Sequence, residues 1–444
     1  MRLRVPELFV NYVWEPSRDS PINVAVARVI LGSYLIWNFA SVDFAALAGW
    51  HVYLARRGSY MVFNSPSIQR LLPVEQVVLL CLLFAFVLGY RERLTALLSA
   101  LLVSHLAIVL STYSYTGRVN SMFIAAYVLI FFGLYAETDP LSLDTVRGAG
   151  PLDREELDRR LRSSLDGTHS VRILQLALLA VAILYFGSAW AKLVLGPGGI
   201  AWEWMSAGNL ARWTISSLTY WEPLTRLGEL MLQYPVSLSA AAVGTVVLEA
   251  GLLVVALLGL PITPVVLGLL GMHTVITLAL GPFFFDQYVF LALFVPWDVL
   301  YRRVAPTRGT VVVYDGTRSA AIRSLYPFEL LDANGVVQFR SQANAREHRR
   351  EDGHDAYGSD VHLFADDAYE SDVHLFADGV EYAGYFAFRE LLRRFPPFGP
   401  VAWLMDREPV EAVGTRLYGR IAGERGRCFV RPVEDGTGQA TDRT

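Results

Sequence analysis

Lys192 is the only lysine in the chain; the rest of its 38 basic residues are arginines. A codon bias toward GC accounts for arginine nearly everywhere. It does not account for the amine kept in Ile183-Leu-Tyr-Phe-Gly-Ser-Ala-Trp-Ala-Lys-Leu-Val-Leu195. Arginine does not give up its proton in a protein, whereas a desolvated lysine can, and can then serve as a base or nucleophile. The plainer alternative is an ammonium that snorkels to the membrane surface beside Trp190. Helical spacing puts Val181, Tyr185 and Ser188 on the lysine's face, with Ala189 alongside. A phenol and a hydroxyl leading to an amine suit a slot for a flat ligand entering from the outer leaflet, and equally suit close helix packing.

His105, Glu249 and His273 are ionisable residues within apolar runs, where charge is costly and usually functional. Glu249 and His273 lie about twelve residues to either side of the Gly259-Leu-Pro261 turn, which places each roughly 18 Å deep. His105, about twelve residues past Arg93, reaches a similar level. A carboxylate and two imidazoles at one depth form a candidate proton relay or substrate-polarising cluster; the alternative is a structural pair that glues helices together. No HxxxH or ExxH spacing accompanies them, so no metal centre is expected. Lys192 stands about 30 Å up its own helix, toward the outer face, so contact with Glu249 is not assumed. Arg28, near the end of the first apolar run, is expected either to snorkel or to serve a site.

These side chains need membrane helices to position them. Of the 444 residues, 53% are hydrophobic and 18% charged, and the mean hydropathy of +0.36 fits a polytopic membrane protein with a soluble part. The net charge of -4 gives no argument for nucleic acid. Cys81 and Cys428 are far apart and form no CxxC site. Apolar runs near 22–41, 73–90, 94–113, 120–136, 170–195, 236–260, 262–281 and 283–300 give eight candidate spans, with seven or nine as alternatives. They are expected to form a helical transmembrane domain over 22–300, preceded by a polar segment, 1–21, in which no cleavable signal is expected. Arginines crowd one set of connections, with Arg2, Arg4, Arg91, Arg93, Arg302 and Arg303 among them. The expected placement is therefore the plasma membrane of a prokaryote, with both termini cytoplasmic. The outward loop 196–235 carries Trp202 and Trp204 and reads as an aromatic belt or lid, while Leu152–Leu165 reads as a short surface helix or a solvated linker.

Hydropathy drops after Leu300, and 301–309 reads as a linker into a small α/β domain over 310–432. That domain opens with the strand Thr310–Tyr314, a helix to about Leu331 and a strand Val336–Arg340. Two nearly identical twelve-residue units then fill 355–378. The second is expected to supply a strand, followed by a helix Ala383–Phe395, and the first to be a looped-out insertion; 433–444 reads as a disordered tail.

Tyr185-Phe-Gly-Ser-Ala-Trp-Ala-Lys-Leu193 with Trp202 or Trp204 and Gly208, Val24–Gly32 around Arg28, Pro140-Leu-Ser-Leu-Asp144, Glu249, and His273 before Phe283-Phe-Phe-Asp-Gln-Tyr-Val-Phe290 resemble the horizontally transferred transmembrane (HTTM) family. That family shares its membrane domain with vitamin K-dependent gamma-carboxylase. The resemblance implies that Lys192 is a base for a reduced quinone or another acidic lipid substrate. It also implies membrane lipid and a lipid-soluble small molecule as partners. Carboxylation itself does not follow, because Arg118-Val-Asn-Ser121 lacks the family enzyme's histidine and no large lumenal domain is present. Val312-Val-Tyr-Asp-Gly-Thr-Arg318-Ser-Ala-Ala321, Gly379–Phe395 and Tyr418-Gly-Arg-Ile-Ala422 resemble the DCC family of thioredoxin-like oxidoreductases, a partner domain typical of HTTM fusions. Asp315 remains, but Arg318 and Ala321 occupy the two cysteine positions, so thiol-disulfide exchange is not expected. Two functions stand: a membrane enzyme using Lys192 with Glu249, His273 and His105, or a non-catalytic scaffold whose redox-dead domain docks a protein partner.

Overall fold

Proline and glycine punctuate the apolar runs and fix several helix ends. The computed structural model describes residues 21–48, 70–113, 118–136, 141–148, 169–194, scattered positions from 205 to 215, 226–281, 283–306, 309–316, 318–332, 334–341, 373–395 and 398–422. Its helices begin with α1 (Pro21–Ala40), α2 (Phe44–Ala48), α3 (Leu72–Val87), α4 (Glu92–Tyr113), α5 (Arg118–Tyr135) and α6 (Leu143–Gly148). They continue with α7 (His169–Val194), α8 (Arg226–Gln233), α9 (Pro235–Leu257), α10 (Thr263–Leu280), α11 (Phe285–Ala292) and α12 (Trp297–Val304). Pro73, Pro235 and Pro264 stand in the first turns of α3, α9 and α10, where the missing N–H costs nothing. Gly89, Gly259 and Gly281 follow α3, α9 and α10 at positive φ, which ends each helix.

The chain divides into two compact units, Met1–Asp144 with Leu161–Trp297 and Thr145–Arg160 with Asp298–Thr444. In the first, α1, α4, α7 and α9 are long and apolar enough to cross a membrane, and three shorter apolar helices, α3, α5 and α10, accompany them. Their inner faces bury Leu31, Leu35, Leu83, Phe86, Leu129 and Phe132, with Phe86 and Phe132 edge to face at 5.3 Å. Their outer faces are equally apolar, with Val77, Phe84, Leu101, Ile183, Val247 and Leu267 exposed. A helix hydrophobic all round suits lipid rather than water. The apolar run 283–300 is not an eighth continuous span. Pro296 lacks an N–H and disfavours helix at Val295, and the run breaks into α11 and α12, each about 12 Å long. Short helices α2 and α8 occupy stretches read as loops, and 152–165 lies outside the described residues.

Arg28 does not snorkel. It is fully buried, and its guanidinium donates to the carbonyls of Phe86 (2.8 Å), Val87 and Leu141 (3.3 Å). The backbone N–H groups of Leu143 and Asp144 in turn donate to Leu88 and Gly89. One cation therefore satisfies the carbonyl end of α3 and clamps the entry to α6 against it.

The second unit contains β1 (Thr310–Tyr314), α13 (Ser319–Leu331), β2 (Val337–Ser341), β3 (His374–Ala377), β4 (Val380–Ala383), α14 (Tyr385–Arg394), α15 (Gly399–Met405) and α16 (Glu408–Ala422). The sheet order is β2-β1-β3-β4, with β1 and β2 parallel and the other pairs antiparallel. The second twelve-residue copy supplies β3, as its alternating Val-His-Leu-Phe predicts, while the first lies outside the described residues. Val380–Ala383, partly assigned to a helix from the sequence, pairs instead with β3 through the tight turn at Asp378 and Gly379, both at positive φ. The stretch read as a linker is tied down. Tyr301 donates to the Leu331 carbonyl at 2.5 Å, and Asn334 Nδ2 to the carbonyls of Arg302, Ala305 and Pro306.

Candidate functional site

Helix α7 packs on α1, α5 and α9 and presents its polar face inward. Lys192 sits in its last turn, with Nζ 2.9 Å from Ser188 Oγ one turn earlier and 2.5 Å from each carboxylate oxygen of Glu249 on α9. The two side chains are 15% and 6% exposed, so a cation and an anion are held together out of bulk water. Lys192 and Glu249, expected at different depths, form one site, and the amine points at a carboxylate rather than outward beside Trp190.

Tyr185, two turns before Lys192 on the same face, lies with its hydroxyl 2.9 Å from His273 Nε2 on α10. His273 is 6% exposed, and its Nδ1 is buried with no hydrogen-bond partner among the described residues. Phe284 and Tyr288 flank the imidazole at 5.4 and 6.2 Å between ring centres. The ring therefore has one nitrogen engaged by the phenol and one still able to bond a ligand.

His105 does not join this group. Its Nδ1 is 2.7 Å from Glu75 Oε1 on α3, and α4 packs chiefly on α5 and α3. The three residues expected at one depth have different partners: Glu249 meets Lys192, His273 meets Tyr185, and His105 meets Glu75 in the first turn of α3. Trp190 also leaves the site. It is 55% exposed on the far side of α7, stacked on Phe186 at 6.4 Å. Trp202 and Trp204 lie outside the described residues. Sequence reasoning missed Glu75, Phe284 and Tyr288. Only the crowding of aromatic residues over 283–290 hinted at the last two.

In the second unit Arg318 stands at the residue before α13, and its Nε lies 3.2 Å from Asp315 Oδ2. Ala321 follows in the first turn of the helix. An ion pair and a methyl group fill these positions, and neither can attack a disulfide. Among the described residues no three His, Cys, Asp or Glu side chains converge to hold a metal ion.

No family model matches the chain, and comparison with curated proteins and with solved structures found none similar to it. What the site can do therefore rests on its own chemistry. A proton can pass along the Lys192–Glu249 hydrogen bond, converting ammonium and carboxylate into neutral amine and acid. The pair can thus present either a charge or a base to a group placed beside it.

Proposed function

We propose that this is a multi-pass membrane enzyme of the HTTM type acting on a lipid-soluble substrate with an acidic hydroxyl, such as a quinol. The observation that carries this reading is the buried Lys192–Glu249 pair beside Ser188 on the face that also bears Tyr185. Once Glu249 holds the shared proton, the neutral amine of Lys192 takes the substrate's hydroxyl proton. The substrate anion that forms then faces the new ammonium, and Ser188 keeps that nitrogen in place. The free Nδ1 of His273, between Phe284 and Tyr288, supports a second polar contact with a flat ring. In a prokaryotic plasma membrane, the arginine-rich connections, Arg91 and Arg93 among them, support a cytoplasmic side for the segments that carry them, the termini included.

Lys192→Arg keeps the charge and removes the base. Lipids that copurify with the chain identify candidate substrates by mass spectrometry. If turnover of the copurified quinol or lipid by Lys192→Arg equals that of the unaltered chain, the base role fails.

The second unit favours a companion reading as a thioredoxin-like docking domain without redox chemistry. Its strand order β2-β1-β3-β4, with β3 alone reversed, supports that fold, and the Asp315–Arg318 pair replaces a thiol site. A chain that binds a protein partner through 310–432 while quinone analogues leave its thermal stability unchanged would favour a scaffold over an enzyme.

A further inference from the structure

The second unit hides its large apolar side chains well, with two exceptions. Among the described residues none is exposed between 305 and 400, whereas α12 exposes Val299, Leu300 and Val304 at the entrance to the unit. The other exception is the helical hairpin of α15 and α16. Val401, Trp403 (58%) and Leu404 stand out from α15, and Val413 and Leu417 (51%) from α16. Val413 and Leu417 are four residues apart and so share a stripe of α16.

Most of the unpaired charges around this patch are positive. Arg407 lies over the Trp403 ring, 4.1 Å from its centre. Arg416 and Arg420 are exposed on the same side of α16 as Leu417, by helical spacing. The nearby acids are mostly taken up within the unit: Asp406 by Arg393 and Arg389 of α14, and Glu411 by Arg389. Glu408, in the first turn of α16, is the acid left at the rim. Tryptophan with aliphatic residues on a face edged by arginine is the composition of an interfacial element: the rings and aliphatic chains enter the headgroup boundary and the guanidinium groups meet anionic headgroups. The same chain carries four helices of membrane-crossing length and apolarity, and the later stretch of the second unit begins at Asp298, six residues after α11 ends.

We propose that the α15–α16 face rests on an anionic lipid surface, making the second unit a peripheral membrane module. The arginines supply attraction that salt screens, and Trp403, Leu404 and Leu417 supply burial that salt does not. This inference is independent of the chemistry assigned to Lys192.

The test uses the full chain in lipid nanodiscs, with Cys81→Ala and Cys428→Ala, and an environment-sensitive fluorophore attached at Leu417→Cys. In discs containing phosphatidylglycerol, doxyl-labelled lipids should quench the probe, aqueous iodide should lose access, and emission should shift to the blue relative to phosphatidylcholine discs. Arg416→Glu with Arg420→Glu, both exposed changes, should restore iodide access without altering the thermal midpoint. Equal iodide quenching in the two discs overturns the proposal, as does equal lipid quenching in both, since the arginines would then contribute nothing. A probe shielded from iodide and lipid alike also overturns it, because the face would then be covered by protein.

Discussion

Lys192 Nζ lies 2.5 Å from both carboxylate oxygens of Glu249, although Lys192 is two residues from the end of α7 and Glu249 is fourteen residues into α9. Side chains on a helix lean toward its N-terminus. A lysine late in one helix and a glutamate midway along its neighbour lean toward each other where the two helices run in opposite directions. Contact between α7 and α9 and the reach of these two long side chains close the gap that residue counting leaves open.

Breaking this pair from one side strands a buried charge. Lys192→Met and Glu249→Leu should each destabilise the helical unit by about 3–5 kcal/mol, while the double variant loses clearly less than either. Thermal unfolding in one detergent checks this, and strict additivity of the two changes would mean that the charges are not coupled.

Tyr185→Phe removes the phenol that engages His273 Nε2. The loss of stability is small, about 0.5–1.5 kcal/mol. Binding of a quinone analogue, read as a thermal shift, should weaken because the imidazole is no longer oriented. An unchanged shift in Tyr185→Phe, with the shift also intact in His273→Phe, would place the ligand elsewhere.

Arg28→Met keeps an apolar stem and deletes the donors to Phe86, Val87 and Leu141. Three carbonyls then lose a charged partner inside the protein, at a cost on the order of 3–5 kcal/mol. Arg28→Lys recovers only part of this, since one ammonium cannot reproduce the fork. Melting curves of the two variants should rank in that order.

Burial, reinforced by the Asp332 carboxylate, holds the Tyr301 phenol well above its ordinary range. Between the ordinary tyrosine value of about 10 and that raised value, the unfolded chain has lost the proton and the folded chain has kept it. The stabilisation is complete below about pH 10 and is lost as pH rises further. Tyr301→Phe should flatten this alkaline decline and cost about 0.5–1.5 kcal/mol at neutral pH for the lost bond to Leu331. A pH series of thermal midpoints separates the two effects.

Arg318→Cys with Ala321→Cys places thiols three residues apart at the start of α13, a separation that one helical turn lets a disulfide close. If the second unit is thioredoxin-like, the double variant should acquire reversible oxidation, measured as thiols titrated before and after reductant. Thiols that never pair under oxidant would argue against that geometry.

Much of the outline was legible in the chain itself. Apolar length marked α1, α4, α7 and α9, and proline at the start with glycine past the end delimited α3, α9 and α10. The alternating β-branched runs marked β1 and β2, and 3.6-residue spacing put Tyr185, Ser188 and Lys192 on one face. These are local properties, set by backbone geometry and by what each residue can satisfy within one or two turns. Tertiary structure alone decided the partners: Lys192 with Glu249, Tyr185 with His273, His105 with Glu75, and Arg28 turned inward onto the end of α3. Depth counted along each helix cannot supply the stagger and rotation of one helix against another, because those follow from how whole faces pack. Burial then favours an opposite charge or a carbonyl beside each of these charged side chains, wherever in the sequence it comes from.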